Sequence, residues 1–283
     1  MGVKKLQLPE FPQGQSIPRR LYQISLPDSS HLPSEICENI QSIQNLHPDW
    51  EYQLFDSDVA ERFIQETYGS DLLEIYRSID PAYLAARSDL LRYLICYAKG
   101  GVYLDLKSST SKPLDTILRS DDVFLVNQWD EFRSLPTGSG GHKEIIHVPG
   151  DEYTIWCIAS APGHPFLKAV LEKVVANIQT YNPLSCGVGA QAVLRLTGPI
   201  AYTLAIHPII DNHPHRKIYL DPDEAMSWTI YNSYAGHRTT LGRHYSELDF
   251  PIIHGNRLLY GMTVAWNRFC LPVMRWARLS RTP

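Results

Sequence analysis

AARSDLLRYLICYAKGGVYLDLK, residues 85–107, places an acid and a base inside an otherwise apolar helical stretch, stops it at Gly100-Gly101 and starts a hydrophobic strand that closes on Asp105. At about 100° per residue, Ala85, Ser88, Asp89, Arg92 and Cys96 share one helix face, and three of the five are small enough to leave room against it. Leu84, Leu90, Leu91, Leu94 and Ile95 require the helix to be largely buried. Asp89 and Arg92 stand three apart and can pair. A buried pair of this kind either fixes packing or serves a ligand, and the helix alone does not choose. The strand does. With a period of two, Tyr103, Asp105 and Lys107 lie on one face and Val102, Leu104 and Leu106 on the other. An acid at the carboxyl end of a strand in an open α/β sheet sits where such sheets bind ligands. Gly100 and Gly101 allow close approach of backbone or ligand at the strand entry. The segment therefore points to an enzyme or a ligand-binding protein.

Outward from it, helices and strands alternate. Residues 1–16 read as a polar arm and residues 17–283 as one α/β domain with a less regular C-terminal half. A first strand is expected at Ile17–Ser25, with Leu21 to Ile24 its core. A helix opens at Pro33-Ser34 with the stripe Ile36, Ile40, Ile43. Trp50, Tyr52 and Leu54 alternate with Glu51 and Gln53 as in a half-buried strand, and Asp56 or Ser57 caps the next helix. The long helix is predicted to start at Asp80-Pro81 and end at Gly100. Strands follow at Val102–Leu106, Val123–Asn127 and Thr154–Ser160, then helices at Pro165–Gln179 and Gly189–Leu196, and a short strand at Ile252-Ile253. Residues 134–150 read as a loop.

Bulk composition narrows the function classes. With 26 basic and 30 acidic side chains, a net charge of −4 and no long basic run, nucleic acid is not an expected partner. Five scattered cysteines (Cys37, Cys96, Cys157, Cys186, Cys270) without a CxxC pair favour reduced thiols and a cytoplasmic setting. No apolar stretch of about 18–20 residues stands out as a membrane span.

Ser88-Asp89-x-x-Arg92-Tyr93 followed by Tyr97-x-x-Gly100-Gly101-Val102-Tyr103-Leu104-Asp105 resembles the DXD sugar-binding region of the family 32 glycosyltransferases. The same region is similar in mannosyltransferases and in the clostridial glucosylating toxins. Ile17-Pro18-Arg19 to Gln23-Ile24, His47 to Tyr52, Ala161 to Phe166 and Thr197-Gly198-Pro199 match in the expected order, so the resemblance covers roughly residues 17–200. It implies a GT-A fold (Rossmann-like), a UDP- or GDP-sugar donor, and hexose transfer with retention to a hydroxyl of a saccharide or glycolipid, in polysaccharide or glycolipid biosynthesis. Carried over, Ser88, Asp89 and Arg92 hold sugar hydroxyls or the leaving diphosphate, and Gly101 lies along the donor. Asp105 meets the donor ribose or its metal, and Tyr22, Gln23 and Ile24 lie beside the base.

The family pattern places a second acid two residues after the first, completing a Mn²⁺ or Mg²⁺ site, but here the stretch reads Asp105-Leu106-Lys107. A protonated lysine cannot ligate a divalent cation and repels one. Three arrangements follow. Lys107 replaces the metal as a catalytic cation beside Asp105; or Asp105 and a C-terminal histidine, His237 or His244, retain it; or the chain is a non-catalytic sugar-nucleotide or glycan binder. Asn127 and Asp130 read first as a polar turn at a strand end. His207-Pro208 and His213-Pro214-His215 read as surface loops, since the prolines prevent a helical ligand face. The tail combines Trp266, Phe269, Val273, Met274 and Trp276 with four arginines. That mix packs on the domain or, alternatively, makes peripheral membrane contact.

Overall fold

The computed structural model of the chain describes residues 6–129, 141–220, 225–231, 245–254 and 261. In chain order these form β1 (Arg20–Ile24), α1 (Ser34–Leu46), β2 (Glu51–Phe55), α2 (Ser57–Tyr68), α3 (Ser70–Ser78), α4 (Leu84–Lys99), β3 (Gly101–Leu104) and β4 (Ser109–Thr110). After them come β5 (Phe124–Trp129), β6 (Cys157–Ser160), α5 (Pro165–Gln179), α6 (Pro183–Cys186), α7 (Gly189–Leu196), α8 (Pro199–Ile206), β7 (Arg216–Leu220) and β8 (Met226–Ser227).

Six strands make one sheet in the order β2-β1-β3-β6-β5-β7, while β4 and β8 form a separate pair. β1 runs parallel to β2 and β3, β5 parallel to β7, and β6 antiparallel between β3 and β5. The carboxyl ends of β1, β2, β3, β5 and β7 consequently share one edge. Alternation along the strands divides the core. Tyr22, Ile24, Tyr103, Val126 and Ile158 face the layer holding α4, α5 and α8. Leu21, Val102, Leu104, Leu125 and Ala159 face Ile43, Trp50 and Met226.

Two predicted boundaries and one predicted stripe change for identifiable reasons. The long helix begins at Leu84, because Asp80 makes a turn instead of a cap: its Oδ1 accepts from the amide of Ala82 and its carbonyl from that of Tyr83. The buried stripe of α1 is Ile36, Asn39 and Ile43, so a polar side chain takes the position expected for Ile40. β6 is shorter than expected, since Thr154 donates its amide to Asn127 before the pairing with β3 starts. The arm is not a loose appendage over its described part. Leu8 is buried, and Phe11 sits edge-on to Tyr68 and Tyr97.

Residues 189–212 are long and apolar enough, by length and composition, to cross a membrane, although the sequence reading singled out no such stretch. The run comprises α7, α8 and a 3-10 turn, and its apolar side chains Val193, Leu196, Ile200 and Ile206 belong to the core.

Candidate active site

The turn between α4 and β3 brings the charged residues together by simple geometry. Arg92 lies eight residues before Gly100, about 12 Å back along a helix rising 1.5 Å per residue. Asp105 lies four residues after Gly101, about 13 Å along a strand. The helix comes down from the carboxyl edge and the strand returns to it, so the two meet level with each other. Arg92 Nη1 is 2.9 Å from Asp105 Oδ1, and Arg92 Nη2 is 3.3 Å from Asp89 Oδ1. Lys107 Nζ is 3.5 Å from Asp105 Oδ2.

Each member is fixed from several sides. The Arg92 guanidinium also donates to the carbonyls of Ser88 and Ile155 and lies over the Tyr103 ring, 4.6 Å from its centroid. The Tyr103 hydroxyl donates to Asp105 Oδ1 at 2.8 Å, and Thr197 Oγ1 donates to Asp89 Oδ2 at 2.9 Å. Lys107 rests its ammonium 4.8 Å from the centroid of Trp228. Its loop is clamped by Asn39 Nδ2, which donates to the carbonyls of Leu106 and Ser108, and by the amide of Ile230, which donates to Lys107 O.

Electrostatics divides the two carboxylates. Burial pushes Asp89 up to about 6, against the pull of Arg92 and Thr197. Burial also acts to raise Asp105, yet Arg92 and Lys107 outweigh it and hold that carboxyl below its ordinary value. Asp89 and Arg92 side chains are only 6–7% exposed, whereas Asp105 and Lys107 are both 17% exposed. The solvent-facing end of the cluster is therefore the Asp105–Lys107 pair.

The remaining sequence candidates separate. Gln23 joins the site: its Nε2 donates to the Asp105 carbonyl at 3.2 Å and its Oε1 accepts from Tyr52. Ser88 is half-buried on α4, one residue from Asp89. Tyr22 and Ile24 turn the other way, into the helical layer, and the Tyr22 hydroxyl is buried there without a hydrogen-bond partner. Gly101 lies at the opposite end of β3 from Asp105. A Cβ there would stand 2.6 Å from the Arg20 carbonyl oxygen, at a φ of +110°. Gly101→Ala is therefore expected to cost about 2–4 kcal/mol of stability through strain and overpacking, measurable by urea unfolding. Asn127 lies buried within β5, paired with Ile218, and not in the strand-end turn expected for it; its Nδ2 donates to the Cys157 carbonyl inside the sheet. His207 opens a 3-10 turn and shares a hydrogen bond with the Tyr153 hydroxyl. Asp130, His237, His244 and the aromatic–basic tail lie outside the described residues.

Sequence reasoning missed Asn39 and Trp228 altogether and gave Thr197 no role. Asn39 had one available signal, a polar residue three and four positions from Ile36 and Ile43 on a buried face. Trp228 had none, being 121 positions from Lys107 in the chain.

The donor set does not fit a divalent cation among the described residues. Asp105 Oδ1 is taken by Arg92 and Tyr103, and Oδ2 faces an ammonium. The Asp89 carboxylate is committed to Arg92 and Thr197, and no trio of His, Cys, Asp or Glu side chains is disposed to hold a metal. A divalent ion about 4 Å from an ammonium is repelled by about 8 kcal/mol at an effective dielectric constant of 20.

Residues 33–124 match the family described as glycosyltransferase sugar-binding region containing DXD motif, in line with the resemblance of that stretch. Inositol phosphoceramide mannosyltransferase 2 of Schizosaccharomyces pombe is 26% identical over 242 residues, covering 82% of this chain and 59% of that protein. Mannosyl phosphorylinositol ceramide synthase CSH1 of Saccharomyces cerevisiae is 27% identical over 186 residues, 66% of this chain and 41% of its own length. The initiation-specific alpha-1,6-mannosyltransferase of the same yeast is 25% identical, over 46% and 32% of the two chains. The chain thus spans roughly a third to three fifths of the length of these relatives. The UDP-bound glycosyltransferase domain from the YGT toxin superposes with a TM-score of 0.52 at 10% identity, covering 79% of this chain and 83% of that domain. The fold is GT-A.

Proposed function

We propose that the chain is a glycosyltransferase that moves a hexose from a nucleotide-sugar donor to a hydroxyl of a saccharide or glycolipid. One observation carries this reading: the Asp89–Arg92–Asp105–Lys107 cluster, inside a DXD-type sugar-binding region, converges at the carboxyl edge of the sheet with its Asp105–Lys107 end the less buried. Mannose is the favoured hexose, because the relatives quoted above are named as mannosyl-transferring proteins, and two of those names specify a glycolipid acceptor.

The mechanism follows from charge placement. The bond between the anomeric carbon and the donor phosphate oxygen breaks, and its electron pair stays on that oxygen, where a preorganised cation stabilises it. The acceptor oxygen forms the new bond to carbon, and its proton passes to the departing phosphate. Both carboxylates of the cluster are engaged by cations, which supports the phosphate as the base and transfer with retention on one face of the sugar. Proton NMR of the newly formed glycoside reports the anomeric outcome, and an inverted product would defeat retention.

Thermal-shift screening against UDP- and GDP-sugars tests the reading. A true donor should stabilise the fold by about 2.7 kcal/mol at a hundredfold excess over its dissociation constant. Slow release of free hexose from that donor separates an enzyme from a sugar-nucleotide binder of the same fold. The reading fails if no donor shifts the transition.

A further inference from the structure

We infer that Lys107 supplies from the chain itself the positive charge that a divalent cation would bring to the donor diphosphate, so that donor binding needs no metal. This rests on the nucleotide-sugar reading and specifies how the site meets the donor's charge.

The argument is one of placement. Lys107 stands two residues after Asp105, in the turn that follows β3, at the position where an Asp-x-Asp pair has its second acid. Its ammonium is held 3.5 Å from Asp105 Oδ2 and 4.8 Å from the Trp228 ring centroid, at the more exposed end of the cluster. An ammonium has three N–H donors, and Asp105 occupies one direction. Lysine serves phosphate as a point charge. The loop that carries it is rigid for stated reasons: Asn39 clamps the carbonyls on either side, Ile230 bonds its own carbonyl, and Ser108 Oγ donates to the Trp228 carbonyl. β4 and β8 continue that attachment at Ser109–Ser227 and Thr110–Met226. The cation is fixed before any ligand arrives. Asp105 and Asp89, when ionised, are balanced by Arg92 and Lys107, so the cluster does not present the excess negative charge that attracts a metal ion.

Calorimetric titration of the full chain with UDP- and GDP-sugars, in excess EDTA and in Mn²⁺, tests this. The expected result is one donor binding in EDTA with an affinity within about threefold of that in Mn²⁺. Lys107→Ala should weaken that binding at least tenfold, and Lys107→Arg should retain it. Lys107→Asp recreates the paired acids; it should bind donor only when Mn²⁺ is added, with the bound ion seen as a loss of free Mn²⁺ signal in electron paramagnetic resonance. That gain of metal dependence also shows that the variant is folded. Wild-type binding that occurs only with Mn²⁺, or a Lys107→Ala variant with unchanged metal-free affinity, overturns the inference while leaving the glycosyltransferase reading standing. Binding of no donor under either condition overturns both.

Discussion

Arg92→Met should lower folding stability by about 3–5 kcal/mol at pH 8, the range for breaking a buried ion pair by removing one partner. Methionine fills most of the volume, so the loss is electrostatic. Asp89 and Asp105 remain under the same packing without the guanidinium that both of them face. Arg92→Lys should fare little better. One ammonium cannot reach Asp89, Asp105 and the carbonyls of Ser88 and Ile155 from one place, as the planar fork does. The pH dependence gives the cause away. In the wild type the Asp105 carboxyl is depressed, so its stabilising contribution is complete above the ordinary value of 3.8 and is lost as pH falls through its folded value. Asp89 is raised to about 6, so the folded state holds its proton more tightly and stability declines as pH climbs from about 4 to 6. Without Arg92 the strongest opposition to burial is gone, both carboxyls rise, and protonation relieves the variant more than the wild type. The deficit should therefore shrink between pH 8 and pH 5, as read by urea unfolding at each pH. A deficit independent of pH would mean that the side chain acts by packing alone.

The cluster was legible in sequence because its members are near in the chain and obey two fixed periods. An i, i+3 pair on a helix, a glycine-terminated turn and an alternating strand leave Asp89, Arg92 and Asp105 little choice of position. Gln23 also came to the site, but through strand pairing that no local pattern encodes: β1 lies beside β3 in the sheet. Tyr22 and Ile24 show the limit of carrying neighbours over together. Adjacent strand residues face opposite ways, so Gln23 reaches Asp105 while its neighbours enter the helical layer. At Gly101 the sequence admits close approach of either backbone or ligand, and it is the Arg20 backbone that takes the space. Asn39 and Trp228, which fix Lys107, are 68 and 121 positions from it, and only the assembled tertiary structure joins them.

Asp105→Asn should reduce donor turnover by about 10²–10³-fold, the scale of removing one preorganised electrostatic element, while the chain still folds. Asparagine keeps the shape and one carbonyl oxygen for Arg92 or the Tyr103 hydroxyl. It cannot present negative charge to Lys107, and its amide nitrogen, turned to where Oδ2 stands, would point a donor at the ammonium. The held cation then loses the anchor that keeps it 3.5 Å away. If Asp105 works by positioning Lys107 against the departing phosphate, kcat falls by more than KM rises, because the interaction strengthens further as charge develops. If the carboxylate instead binds the donor ribose, KM rises and kcat survives. The Lys107 contact favours the first outcome, with free hexose release as the assay. Combining the substitution with Lys107→Ala sharpens the test. Two residues acting through one charge are non-additive, so the double variant should be scarcely worse than the poorer single one. Additive losses would assign Asp105 a contact of its own with the donor.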